Sequence, residues 1–382
     1  MRKTLLFILA LSLTAAWMIG CGSSSKTVIT PTTQTSTFAF MEESGSGTYL
    51  FSPMIGTYTT TNGTTTFKAA AVVDNSNQPV TAEFYSIYLS TDGKTATLDL
   101  YGGLDGTSGE WDIWVAPADG SSNPTQVTND TNGNRMPQLS PDNTTVVFNS
   151  YRIIDEAGDY GWMVITRKTD GTGEQVLPMP PGAGQTWAPT YSPDGSKIAV
   201  EAWGYDASDN YFDGIWVMNS ADGSNPVMLT NPSASETCDC YDEHPAYTSD
   251  GSKIVFSRYS YDTTTEDIYI MNSDGTGVTQ LTNDGVADFD PMVIKVAGTS
   301  LILFSSNITD PTDTTGASFE LYSMNMDGTG VSRLTNNTEY DAFCGDWYEW
   351  GEAASSQRSM RHTLHPHHSL AAGHNSGHKV RW

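Results

Sequence analysis

Apolar and polar residues alternate in short runs along most of this chain, and the runs come in groups of four. From His244 the group is His244 to Thr248, Lys253-Ile254-Val255-Phe256-Ser257, Asp267-Ile268-Tyr269-Ile270-Met271-Asn272, and Val278-Thr279-Gln280-Leu281. Alternating, β-branched runs of about five residues predict strands. Polar turns separate them at Ser249-Asp250-Gly251-Ser252 and Ser273-Asp274-Gly275, where glycine supplies the positive φ that a tight hairpin needs. No helical periodicity of any length appears between 36 and 350. Four antiparallel strands joined by tight turns make one blade of a β-propeller.

The group repeats. Asp-Gly pairs at Asp119, Asp170, Asp222, Asp274 and Asp327 are 51, 52, 52 and 53 residues apart. A second turn runs in phase: Thr91-Asp92-Gly93, Ser140-Pro141-Asp142, Ser192-Pro193-Asp194-Gly195 and Ser249-Asp250-Gly251. A fixed period of about fifty residues with several strands per unit predicts a toroidal array. Five units are explicit, at 84–130, 135–181, 185–233, 242–285 and 288–337. Tyr49 to Phe51, Phe67 to Val73 and Val80 to Tyr85 give three strands of a degenerate sixth, with a fourth at Phe343 to Trp350. The expectation is an all-β, six-bladed propeller over 36–350, its ring closed by pairing the N- and C-terminal strands, which removes open edges.

Two stretches carry a resemblance. Pro189-Thr190-Tyr191-Ser192-Pro193-Asp194-Gly195-Ser196-Lys197-Ile198-Ala199, followed by Ile215 to Gly223, resembles the repeat of TolB-type β-propellers, and Asp267 to Asn283 has the same pattern. The resemblance spans four or five repeats and implies the fold. It implies little about function, since similar blades serve unrelated proteins. TolB carries an N-terminal α/β domain, whereas here a short linker is expected between leader and first strand. The TolB role of contacting the peptidoglycan-associated lipoprotein is therefore not carried over.

The ends differ from the repeats. Arg2-Lys3, an uncharged apolar run from Leu5 to Ile19, and Gly20-Cys21 have the layout of a secretory leader over 1–20. The run is 15 residues, shorter than the roughly 20 that span a bilayer. A cysteine directly after a small residue resembles the bacterial lipobox and makes Cys21 the expected acylation site, with 21–35 as a Ser/Thr-rich tether. The residue after it is not Asp, so the outer membrane is expected. Residues 351–382 lose the strand pattern, hold six of the seven histidines, and are expected to be a disordered tail.

Charge narrows the partners. The chain has a net charge of −26, and 43 acidic against 11 basic residues fall between 36 and 350. Such a surface is unsuited to nucleic acid, whose binding requires phosphates to be neutralised, and it favours cationic partners. With Cys21 lipidated, Cys238, Cys240 and Cys344 remain, for which one disulfide and one thiol are expected in an oxidising compartment. A Cys-Asp-Cys pair offers only two of the four ligands of a zinc site.

Propeller geometry puts the Asp-Gly hairpins on one face and the long, dissimilar loops on the other: Gly102–Asp112, Tyr151–Trp162, Trp203–Asp213, Asn231–Glu243 and Asn307–Glu320. Variable loops on a rigid scaffold are where binding usually resides. The candidate binding residues there are Asp155, Asp159, Trp187, Trp203, Asp206, Asp209, Asp213, Asp242 and His244. Trp111, Trp162, Tyr205, Tyr211 and Tyr241 add aromatic rings, which serve either stacking on a partner or packing between blades. No nucleophile elbow occurs, and a lone propeller histidine before a proline reads as structural, so no catalytic residue is assigned. The expectation is a monomeric, lipid-anchored scaffold for an envelope protein or peptide. The alternatives are a glycan-binding or carbohydrate-active propeller and a Ca²⁺-stabilised module using Asp206-Ala207-Ser208-Asp209-Asn210, which lacks the glycine and terminal glutamate of an EF-hand loop. No other cofactor is expected.

Overall fold

The computed structural model describes residues 33–43, 51–61, 64–71, 84–101, 110–118, 121–122, 124–154, 158–234, 238–308, 319–335 and 342–343. Their regular elements are strands, apart from one short 3-10 turn at Pro232–Ala234. Five sheets follow the repeat, each with its strands in chain order. The first is β4 (Phe84–Leu89), β5 (Thr95–Tyr101), β6 (Trp111–Pro117) and β7 (Thr125–Gln126). The second is β8 (Asn134–Leu139), β9 (Thr145–Ile153), β10 (Tyr160–Lys168) and β11 (Gln175–Val176). The third is β12 (Ala183–Tyr191), β13 (Lys197–Tyr205), β14 (Tyr211–Asn219) and β15 (Val227–Met228). The fourth is β16 (Cys240–Tyr247), β17 (Lys253–Ser260), β18 (Thr265–Asn272) and β19 (Thr279–Gln280). The fifth is β20 (Asp288–Val296), β21 (Thr299–Ser306), β22 (Glu320–Asn325) and β23 (Ser332–Arg333).

The expected six-bladed count is corrected to five. Each of the five repeat blades has a bulge between its first two strands, at Phe84/Ile87, Arg135/Gln138, Trp187/Thr190, Glu243/Ala246 and Phe289/Met292. The remaining sheet has another construction. It joins β1 (Thr33–Glu43), β2 (Phe51–Thr61) and β3 (Thr64–Ala71) to β24 (Ala342–Phe343), in the order β24-β1-β2-β3. β1 and β2 pair along all 11 residues without a bulge. Of the strands expected at 49–51, 67–73 and 80–85, Phe67 to Ala71 falls within β3, whereas Phe84 and Tyr85 belong to β4 of the first repeat blade; residues 49–50, 72–73 and 80–83 lie outside the described residues. The Thr-rich stretch has Asn62-Gly63 between β2 and β3 in place of the periodic Asp-Gly turns, and alternation sets the face that the long β1–β2 pairing presents. This sheet stands between the fifth blade and the first, in contact with β20 and β4. The C-terminal segment reaches it through Met41↔Phe343 and Glu42↔Ala342.

The repeat turns are polar devices. In Ser90-Thr91-Asp92-Gly93, the Ser90 hydroxyl donates to Asp92 Oδ1 (2.6 Å) and accepts the Thr95 amide (3.0 Å), while the Gly93 amide closes on Ser90 O (2.8 Å). Ser140/Asp142, Ser192/Asp194 and Thr248/Asp250 repeat the hydroxyl–carboxylate bond. In the first four repeat blades the first turn rests on the third, through Ala118 N to Lys94 O, Thr169 N to Thr144 O, Ser220 N to Ser196 O and Ser273 N to Ser252 O. The hairpins therefore share one face, as the repeat implies.

Packing between strands two and three balances volume across one register position. Leu98 faces Trp114, Phe148 faces Ile165, Val200 faces Trp216, Phe256 faces Tyr269 and Phe304 faces Tyr322. A small residue opposite a large one, or two medium rings, fills the same space at interior density.

Candidate functional site

The inner strands converge on the axis, and the bulges decide what lines it. Four of the five bulges put a non-glycine residue at positive φ directly before a proline: Met136 (55°), Ala188 (46°), His244 (51°) and Asp290 (51°). Proline has no amide hydrogen to lose and is tolerated at a bulge. Tyr88, Gln138, Ala188, His244, Asp290 and Met292 are among the residues bordering a small axial pocket of about 50 Å³. His244 Nδ1 lies 3.2 Å from Asp290 Oδ1, with both side chains buried. The pair joins neighbouring blades at equivalent bulge positions.

A ring of polar residues supports the bulges from strand two. Asp99, Asn149, Glu201, Ser257 and Ser305 occupy one register position in successive blades, and all five are fully buried. Asp99 accepts the Ser86 amide (2.6 Å) and hydroxyl (2.9 Å) of its own bulge and the Met136 amide (2.9 Å) of the next. Asn149 also reaches the next blade, but as a donor, from Nδ2 to Thr186 O (2.9 Å). Burial pushes the Asp99 carboxyl up to about 6 against these hydrogen bonds. A second set of acids secures the outer strands. The Thr128 hydroxyl donates to Asp112 (2.9 Å) while accepting the Ile113 amide (2.8 Å), and Thr282 with Asp267 and Thr335 with Glu320 repeat the device. Burial, with Asp284 nearby, raises Asp267 to about 6; burial raises Asp288 to about 7.

The loop face carries a continuous aromatic row across three blades. Tyr101 packs on Trp111 with centroids 5.5 Å apart. The Arg135 guanidinium lies 4.6 Å above Trp111 and 5.6 Å from Trp162. Trp162 continues to Tyr151 at 5.3 Å and edge-on to Trp187 at 4.7 Å, and Tyr151 stacks on Tyr160 at 5.5 Å. Beneath it, Met136, Trp187, Ala188 and Trp203 form a buried cluster flanked by Tyr88, Trp111, Trp162 and Tyr211. The row is buried at its base and exposed at Tyr101, Tyr151 and Tyr160.

The expected site residues divide into groups. Trp187 and Trp203 belong to the base of the aromatic row, and His244 lines the axis. Asp242 is fully buried and holds Arg258 through two bonds, Nε to Oδ1 (2.5 Å) and Nη2 to Oδ2 (2.8 Å), across β16 and β17. Burial raises its carboxyl above the usual range, with Arg258 opposing. That makes Asp242 a structural partner. Asp242→Ala is expected to cost about 3 kcal/mol, because a guanidinium is left half-buried without its carboxylate, a loss that urea denaturation would register. Asp213 is buried and accepts the Tyr211 hydroxyl (3.0 Å). Asp206 and Asp209 lie on an exposed turn, where Asp206 accepts the Ser208 and Asn210 amides (2.8 and 2.9 Å) and Asn210 Nδ2 (2.9 Å). The Asp206 carboxylate is thus bonded by donors of its own loop. Among the described residues no group of three or more His, Cys, Asp or Glu side chains is arranged to hold a metal ion. Asp159 is half-buried. Asp155 and Cys21 lie outside the described residues. Cys238 and Cys240 are joined in a disulfide, and Cys344 lies outside the described residues.

Sequence reasoning passed over Arg135, Tyr101, Tyr151, Tyr160 and Asp290. Asp290 had a signal, since Met136-Pro137, Ala188-Pro189, His244-Pro245 and Asp290-Pro291 recur in phase with the turns. The tyrosines had none, because alternation does not say which strand ends stay uncovered.

A bulged, five-repeat ring with paired Asp turns is the geometry against which known proteins can be set. No family model matches the chain. Residues over a 138-residue stretch are 28% identical to the Tol-Pal system protein TolB of Anaeromyxobacter dehalogenans strain 2CP-C, covering 34% of this chain and 26% of that protein. The same figures hold for TolB of Anaeromyxobacter sp. strain K. TolB of Acinetobacter baumannii superposes with a TM-score of 0.55 at 15% identity, over 80% of this chain and 65% of that one. A TolB structure from Agrobacterium tumefaciens gives 0.52 at 18% identity, over 83% and 92%. The fold is that of a TolB-like β-propeller. The likeness is one of scaffold: the chain spans about a quarter of the length of the curated TolB proteins it matches, and at these identities the superpositions establish the fold alone. Among the described residues no helix is long and apolar enough to cross a membrane.

Proposed function

We propose that this TolB-like propeller is a lipid-anchored binding scaffold of the bacterial cell envelope that engages a protein or peptide through its loop face. The observation that supports it is the aromatic row Tyr101–Trp111–Arg135–Trp162–Tyr151–Tyr160. Tyrosine, tryptophan and arginine dominate the energy of protein interfaces, and they do so best when held rigid before the partner arrives. The row has a buried base and exposed ends, and the surplus of acids between 36 and 350 adds attraction for a cationic partner. The relatives are described as members of the Tol-Pal system, which accords with an envelope location. Cys21 supplies the anchor in this reading, with acyl chains each contributing roughly 0.8 kcal/mol per buried methylene.

Cys21→Ser is expected to move the protein from the membrane fraction to the soluble one with its melting temperature unchanged. A Ser variant that still sediments with membranes after a high-salt wash would show that the anchor lies elsewhere. Crosslinking of the anchored wild type in its native envelope is expected to capture a protein partner, less efficiently as salt rises, since exposed charges are screened beyond about 10 Å at 0.1 M. Capture of no protein, or of glycan alone, overturns the scaffold reading.

A further inference from the structure

Register fixes which residues of the repeat blades are equivalent. Three residues before the bulge proline stand Asn134, Thr186, Asp242 and Asp288, opposite Ser150, Ala202, Arg258 and Ser306. Charge is settled differently at each. Thr186 and Ala202 are neutral. Asn134 donates from Nδ2 to Asp130 Oδ1 (3.1 Å) and to Asn132 O (2.9 Å), and Asp130 also meets Arg167 Nη2 (3.2 Å). Asp242 has the Arg258 guanidinium opposite it, whereas Asp288 has a serine. Asp288 is fully buried, and neither carboxyl oxygen has a hydrogen-bond partner in good geometry. The Ser306 and Thr282 hydroxyls lie beside it, but the Thr282 hydroxyl donates to Asp267 (3.3 Å). Asp284 and Asp267 stand close enough to repel its charge. No ion pair joins any of these three carboxyls to another described residue.

The basic side chains around β20 are committed or distant. The strands packed on it are β1, β2, β16, β17, β18 and β21. Of these only β17 carries lysine or arginine. Its Lys253 donates to Asn272 (3.0 Å), and its Arg258 is held by Asp242. Lys295, on β20 itself, stands seven residues along the strand from Asp288, roughly 23 Å away. The same strands carry the acids Glu42, Glu43, Asp242, Glu243, Glu266 and Asp267, and one histidine, His244. A carboxyl out of water and far from a free cation keeps its proton, and a neutral Asp288 can donate an O–H where Asn134 donates an N–H. The fourth and fifth blades meet again at the axis, where His244 Nδ1 lies 3.2 Å from Asp290 Oδ1, an ion pair only while His244 is protonated. We propose that the joint between the fourth and fifth blades is a proton-operated latch, closed by Asp288 as the neutral acid and by His244 as the cation of the axial pair, and loosened as pH rises. Both groups act in one sense. Asp288, raised to about 7, contributes fully below its ordinary value of 3.8 and loses that contribution as pH rises through about 7. Nothing in the latch depends on what the loop face binds.

Hydrogen exchange of the full chain at pH 6 and pH 8, expressed as protection relative to the unstructured rate at each pH, tests the latch. Protection of β20 is expected to fall about tenfold between them, as a carboxyl titrating at about 7 dictates. Strands β13 and β14 of the third blade are expected to change less than about threefold over the same interval. In Asp288→Asn, which keeps the shape and cannot ionise, the fall at β20 is expected to shrink below about threefold, and in Asp288→Asn/His244→Gln to vanish. Ser306→Arg sets a guanidinium opposite Asp288 as Arg258 stands opposite Asp242. It is expected to flatten the pH course as well, and serves should Asp288→Asn fold poorly. An unchanged fall at β20 in Asp288→Asn, or an equal fall at β13 and β14 in the wild type, overturns the latch. So does a fall abolished by millimolar Ca²⁺, because a metal ion and not a proton would then balance the carboxylates.

Discussion

Phe256→Ala is expected to remove about 3–5 kcal/mol of stability, the cost of deleting a fully buried ring and leaving a cavity behind. Phe256 is 0% exposed, sits directly opposite Tyr269, and stacks on it at 25° with centroids 5.8 Å apart. Its neighbours Ala199, Ile215, Ile254 and Met271 come from two blades, so the cavity would open at the seam between them. β-strands held on both sides cannot collapse to fill it, which places the effect toward the upper end of the range. Equilibrium urea denaturation measures it, with Val278→Ala, at an exposed site, as a control expected to change stability by less than about 0.5 kcal/mol. A loss below about 1 kcal/mol for Phe256→Ala would mean that the seam is not packed as described.

The propeller is also expected to be more stable near pH 5 than near pH 8. Three carboxyls, the buried Asp99 at about 6, the half-buried Asp267 at about 6 and the buried Asp288 at about 7, titrate above the ordinary value of 3.8. Burial is the main cause in each, and Asp284 adds repulsion at Asp267 and Asp288, while the hydroxyls of Ser306 and Thr282 oppose the shift at Asp288. A group that holds its proton more tightly when folded stabilises the fold fully below the unfolded pKa. That contribution is lost as pH rises through the folded value, here between about 4 and 7. The turn carboxylates act in the opposite sense. Asp194 and Asp250 are lowered to about 2, chiefly by the Ser192 and Thr248 hydroxyls, so their contribution is lost only as pH falls below about 4. Stability should therefore peak near pH 4–5 and decline toward pH 8. Asp288→Asn, which cannot ionise, is expected to raise the melting temperature at pH 8 and to shrink the difference between pH 5 and pH 8 by on the order of 5 °C. A pH 8 melting temperature unchanged in Asp288→Asn would show that this carboxyl does not carry the effect.

Several of the chain's features could be read before any coordinates, and the reason is local. The Ser/Thr-x-Asp turns are complete within six residues: Ser192, Asp194, Gly195, Ser196 and Lys197 bond to one another across the hairpin. Strand alternation and a fifty-residue period likewise need no distant partner, so the all-β array, the blade strands from β4 onward and the separation of hairpin and loop faces were legible. The stretch 33–71 was not. Its turn signal Asn62-Gly63 lies outside the fifty-residue period, and the pairing of Thr33 with Thr61 is chosen by strands competing across the chain. The expected pairing of the C-terminal segment with the N-terminal strands is present at Met41↔Phe343.

The candidate site divides along the same line. That acids and aromatic rings gather on the loop side follows from their positions in the repeat. Which of them face a partner is a tertiary outcome: Asp242 and Asp213 lie buried on Arg258 and Tyr211, while Tyr151 and Tyr160 remain at the surface. The sequence alone determined the repeating unit, because a turn and a strand are made from neighbouring residues. Only the tertiary structure decided the build of the closing sheet, the axial pairing of His244 with Asp290, and the exposure of the second hairpin. Each depends on what the adjacent blade brings to within a few ångströms, and an alternating pattern is the same whichever residue stands opposite.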